Sequence, residues 1–170
     1  MSFLTRKVSR AKWQSNGNLR DDEIQADAIT ADLKTTGNSL SFWATDGIEP
    51  ADLQRVVLAL ATGLDRVDKI DIAWVDNSVI EKAGLTIDKT PGLTEVASLV
   101  DSHRDISRLD LVRLGQVALL LQGAINSDQH RRYNKKKVAK CIADAVNANL
   151  VPIEKLSPRV QADIKEFLET

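Results

Sequence analysis

The hydrophobic and polar positions of this chain follow two periods that change partway along it. In Ser39–Thr45, Leu40, Phe42 and Ala44 point to one side while Ser41, Trp43 and Thr45 point to the other, as on a strand. Ala28–Lys34 alternates similarly, and Thr36-Gly37-Asn38 supplies residues that tolerate positive φ, so the pattern predicts an antiparallel hairpin. Residues 21–27 (DDEIQAD) read as a short helical turn leading into it. Segment 3–13 alternates poorly and is rich in Arg and Lys; as a strand it is expected at a sheet edge, guarded by its charge.

A period of 3.6 takes over at Pro50, which suits the first helical position because its missing N–H would be unpaired there anyway. Leu53, Val56, Val57, Leu60 and Leu64 make one apolar stripe. Lys69–Asp76 returns to a strand, with Ile70, Ile72 and Trp74 on one face. Strand, helix and strand in succession predict a right-handed crossover, with the third strand parallel to the second. Asn77–Gly84 reads as a short helix closed by Gly84, and 86–94 (TIDKTPGLT) as an aperiodic linker. Everything after it reads as helix: Glu95–Ser102, then Ile106–Gln122, which is apolar on nearly every side like the buried centre of a bundle. Residues 128–148 follow, with Val138, Cys141, Ile142, Ala145 and Val146 as the buried stripe and Ser127 or Asp128 as cap. Ser157-Pro158 caps a last helix whose apolar positions are Val160, Ile164, Phe167 and Leu168.

The expected fold class is α+β. Residues 1–88 should form a small antiparallel or mixed sheet with one or two covering helices, and residues 89–170 an all-α helical bundle. Halves of about 80 residues are marginal alone, so they are expected to pack together as one compact unit. Trp13, Trp43 and Trp74 recur at spacings of 30 and 31 without a repeat around them, which reads as core anchoring near strand ends.

Composition narrows the setting. The chain of 170 residues is 43% hydrophobic and 28% charged with one cysteine, an ordinary folded composition that allows no internal disulfide and fits a reducing, cytoplasmic compartment. The N-terminal cations are not followed by the apolar region of a signal peptide. The longest apolar run, Val117–Leu121, is far short of the ~20 residues of a membrane span, so no membrane partner is expected.

Charge changes the picture more. The net charge of −1 conceals five cations and no acid in residues 1–20, nineteen acids against nine cations in 21–130, and six cations without an acid in 131–140. Phosphate-binding glycine motifs, metalloprotease motifs and nucleophile elbows are absent, and the His103-Arg104-Asp105 triplet lacks every companion of a kinase catalytic loop. His103 and His130 have no ligand partner at helical spacing; on a helix, Asp101 and Asp105 would fall on other faces from His103. No metal site, cofactor or catalytic constellation is therefore expected. Cys141 on an apolar stripe reads as structural. Asp65, Asp68, Asp71 and Asp76 bracket the third strand, where a solvated face and a helix cap account for them; Asp71 and Asp76, with His103 and His130, are the groups an enzyme would have to use.

One feature stands out, although a solvated basic face, or one paired with this chain's own acidic surface, would also account for it. Arg131, Arg132, Tyr133, Lys135, Lys136, Lys137 and Lys140 crowd the start of the expected 128–148 helix, where the macrodipole is already positive and each cation costs about 0.3–1 kcal/mol. Arg132, Lys136 and Lys140 would form one outward stripe, and Arg6, Lys7, Arg10 and Lys12 a possible second basic patch. The sequence is read as a non-catalytic interaction protein, an accessory subunit or small inhibitor- or immunity-type partner, docking another protein through its segregated charge. The alternative is a nucleic-acid-binding accessory module that contacts phosphates through 131–140.

Overall fold

The computed structural model describes residues 2–14 and 23–168. They form an α+β fold around one six-stranded antiparallel sheet. Its strands are β1 (Phe3–Val8), β2 (Leu40–Thr45), β3 (Ile70–Asp76), β4 (Thr86–Lys89), β5 (His103–Ser107) and β6 (His130–Tyr133), in spatial order β4-β5-β2-β1-β3-β6. The helices are α1 (Arg10–Trp13), α2 (Ala26–Asp32), α3 (Pro50–Ala61), α4 (Asn77–Lys82), α5 (Leu111–Asn126), α6 (Lys135–Asn147) and α7 (Pro158–Leu168).

Alternation along the strands divides the apolar residues between two cores. Trp43, Ile70, Ile72, Trp74 and Tyr133 face α3, α6 and α7. Leu4, Leu40, Phe42, Ala73, Val75 and Ile106 face α1, α2, α4 and α5. The sheet is thus covered on both sides. Leu53, Val57, Ile70, Ile72, Ile142 and Ile164 are fully buried in the first core, Leu4, Ala28 and Leu121 in the second.

The strongest periodic segments fold as expected. Pro50 opens α3, and Leu53, Val56 and Val57 are buried. Asp76 caps α4 by accepting from the Ser78 N–H at 2.7 Å, and Gly84 closes it at φ 71°. The Ser157 hydroxyl accepts from the Val160 N–H at 3.2 Å at the start of α7. β2 and β3 run in the same direction, but β1 lies between them, antiparallel to both.

Four expectations are corrected. Ala28–Lys34 is no strand: α2 occupies residues 28–32 of it, with Ala28 facing the core, and the turn at Gly37 and Asn38 (φ 59° and 58°) closes only the isolated pair Thr36–Ser39. Of the helical turn expected over 21–27, residues 21 and 22 lie outside the described residues. β1 is central rather than at an edge, because the Arg6 guanidinium is satisfied internally: its Nε donates to the Asp32 carbonyl at 3.0 Å and it lies 5.6 Å over the Phe42 ring. The linker expected over 86–94 contains β4, paired with β5. The all-helical reading of 89–170 fails because β5 and β6 join the sheet and α5 packs on the opposite face from α6 and α7. The boundary at residue 88 falls inside β4, and strands from both sides of it share one sheet. No described helix is long and apolar enough to cross a membrane.

Candidate functional site

The 131–140 segment is a strand followed by a helix, which separates its cations. In β6 the side chains alternate: Arg131 and Tyr133, opposite Ile72 and Ile70, take the α3/α6 face, while Arg132, opposite Asp71, takes the other. Arg132 therefore leaves the stripe expected with Lys136 and Lys140. Its Nε and one terminal nitrogen grip Asp71 at 2.7 and 2.9 Å, and this carboxylate, only 7% exposed, holds the guanidinium above its usual pKa.

Helix α6 begins at Lys135, not near residue 128. Asn134 is the cap, its side-chain oxygen accepting from the Lys137 N–H at 2.9 Å. The first turn carries Lys135, Lys136 and Lys137 and no acid. Lys135 is answered from α7, where its Nζ lies 2.6 Å from Asp163 and holds that carboxyl below the usual range. Lys136, Lys137 and Lys140 form no ion pair among the described residues.

Between α3 and α6 runs a groove of about 780 Å3. Lys137, Lys140, Cys141, Asp144 and Ala145 recur along it at the i, i+3, i+4, i+7, i+8 spacing of one helix face. Pro50, Ala51, Gln54, Arg55 and Leu58 supply the α3 wall, and Arg131, Tyr133 and Leu150 complete it. Its floor is apolar: Leu58 and Tyr133 are buried, and Leu150 stands half-exposed at the margin. Arg55, Arg131, Lys137 and Lys140 line it against the single carboxylate of Asp144. A concave apolar surface edged by converging cations takes an anion that also carries apolar surface.

The individual groups fit that surface better than a catalytic one. The Cys141 Sγ lies 3.7 Å from the Gln54 carbonyl oxygen, and burial, with Asp144 nearby, pushes its thiol up to about 11, far from a nucleophile's value. Burial also raises the Tyr133 hydroxyl, with Arg131 opposing. Being 6% exposed, Tyr133 offers no open ring face for stacking.

The second basic patch does not assemble as one surface. Arg6 turns in beneath α2, where burial lowers it to about 10, whereas exposed Lys7 lies on the other face of β1. Arg10 and Lys12 belong to α1.

Among the described residues no hydrogen bond or ion pair joins the four groups reserved for an enzyme. Asp71 pairs with Arg132, Asp76 caps α4, His130 is on β6 and His103 on β5, four strands away. Because β5 is a strand, His103 and Asp105 share a face after all. The Thr90 hydroxyl donates to Asp105 Oδ2 at 2.8 Å and so is left to accept from His103 Nδ1 at 2.8 Å. His103 meets Trp43 edge-on, ring centres 5.2 Å apart, and burial lowers its pKa. This arrangement knits β4–β5 onto β2.

Arg55, Gln54, Leu58 and Leu150 were not foreseen as site residues. The one signal was that Gln54 and Arg55 fall off the apolar stripe of α3, which makes them outward-facing but does not say toward what. Comparison with protein-family models, with curated proteins and with solved structures finds no match to this chain.

Proposed function

We propose that this chain is a non-catalytic interaction protein whose α3/α6 groove receives an acidic, apolar-anchored segment of a protein partner. The observation that carries the reading is the coincidence of an apolar floor with Arg55, Arg131, Lys137 and Lys140. An apolar side chain of the partner packs against half-exposed Leu150 at the groove margin, while its carboxylates meet the cations. The charges speed and orient encounter; the buried anchor supplies most of the affinity.

The unfavourable placement of lysines at the start of α6 supports the same reading, since a bound anion offsets a cost that the free chain bears alone. Nucleic-acid binding through 131–140 is the weaker reading. Two of its cations are engaged by Asp71 and Asp163, and its stacking residue is buried.

A photo-cross-linking residue at Gln54 in the full chain tests this in native lysate. The expected product is one protein partner whose cross-linked peptide is acidic with an apolar residue at the attachment point, lost in Lys137→Glu/Lys140→Glu. Cross-linking to DNA or RNA instead, with binding that falls steeply with salt, overturns it in favour of the phosphate reading.

A further inference from the structure

Helix α5 has a second face that the described residues leave open. Val117, Leu121, Ala124 and Ile125 are buried against the sheet, yet Leu111, Val112 and Leu119 stand 86%, 72% and 60% exposed. Arg113 is the only charged residue in the sixteen positions of α5. Solvent-facing helix surfaces ordinarily carry charge, and adjoining exposed apolar side chains mark an interaction surface.

The same face carries two helix-interior glycines. Gly115 and Gly123 each cost the helix stability relative to alanine, and a Cβ at either would meet nothing within 4 Å. Packing inside the chain therefore does not require them. With the leucines they form one ridge at four-residue spacing: Leu111, Gly115, Leu119, Gly123.

We propose that this ridge is a self-association surface that pairs two copies of the chain through antiparallel α5 helices about a two-fold axis. A two-fold makes every contact reciprocal. With the axis beside residue 117, Leu111 of one copy falls on Gly123 of the other and Leu119 on Gly115. Every large side chain meets a gap, and the ridges interlock in the commonest helix-packing class. The charges agree with that polarity. The Arg113–Asp110 ion pair leaves exposed Arg108 as the uncompensated charge at one end, while the far end holds exposed Asp128 and the negative pole of the helix dipole. Antiparallel pairing brings the positive end of each copy beside the negative end of its mate. A parallel pair would stack leucine on leucine and like ends together.

Sedimentation equilibrium of the full chain over a wide concentration range tests the proposal. The expected species is a dimer, shifted to monomer by Leu119→Lys and by Gly115→Glu, both at positions where the folded monomer has room. Polarity is read by disulfide cross-linking in a Cys141→Ala background: Leu111→Cys chains should couple to Gly123→Cys chains and neither efficiently to itself. A wild-type chain that stays monomeric throughout overturns the proposal, as does a dimer insensitive to both substitutions. Leu111→Cys chains that couple to one another overturn the antiparallel geometry.

Discussion

Helices α5 and α6 cover opposite faces of the same sheet and have similar lengths, sixteen and thirteen residues, yet their outer surfaces differ. α6 carries four lysines and an aspartate around a buried stripe of Val138, Ala139, Ile142 and Ala145. α5 carries one arginine and turns leucine and valine outward. Burial of the inner face is what each helix owes the fold, and both meet it fully. The outer faces are free of that demand, and there the two helices depart from the ordinary in opposite ways, with misplaced cations on α6 and bare apolar groups with glycines on α5.

The largest expected effect separates inner from outer face on α5 itself. Leu121→Ala, at a fully buried position, should lower unfolding stability by about 2–5 kcal/mol in denaturant titrations. Leu119→Ala should change that of the monomer by no more than about 0.5 kcal/mol. Equal losses would mean that the outer face is packed after all. Next comes the cap: Asn134→Ala removes the acceptor for the Lys137 N–H and should cost about 1 kcal/mol, placing the start of α6 at residue 135 rather than near 128.

The cations of 131–140 should then divide by role. Arg132→Ala strands the buried Asp71 carboxylate, so it should lower the melting temperature while leaving partner capture intact. A loss of capture without a loss of stability at that position would return Arg132 to the binding surface.

The smallest effects are titrations. His103 has a folded pKa below 6.5, so the unfolded chain takes up its proton first. Its contribution to stability is full above about pH 6.5 and is lost as pH falls through that value toward the lower folded pKa. His103→Gln should flatten the decline in melting temperature between about pH 7 and 5.5 relative to wild type. Cys141, at about 11, holds roughly a hundredfold less thiolate at pH 8 than an ordinary cysteine, and its alkylation should be slower in proportion.

What could be read from the sequence depended on how much of an element faces the core. α3, β3, α4 and α7 each combine an apolar stripe or face with a cap or terminator, and they lie where the pattern placed them. β5 and β6, HRDIS and HRRY, are mostly polar because one pairs through a threonine-linked histidine and aspartate and the other is an edge with Tyr133 alone buried. Neither shows the alternation that marks a strand. Charge guarding of an edge does occur, on β6 rather than on β1. The Ala28–Lys34 segment fits both periods over seven residues, and its docking against the sheet decides for helix. α5 looked buried all round because its solvent-facing side is apolar as well. Within the groove, Lys137 and Lys140 were legible as cations without an internal role, but their convergence with Arg55 and Leu150 depends on the approach of α3 to α6, which no local pattern encodes.

On the proposed function, the lysines opening α6 serve an external anion at the expense of the free chain. Replacing Lys137 by Glu, and reading thermal stability and partner capture on the same preparation at low salt, tests it most directly. The expected result is a free chain stabilised by about 0.3–1 kcal/mol, through relief at the helix N-terminus, together with lost or sharply weakened capture. A destabilised chain that captures its partner undiminished would contradict it.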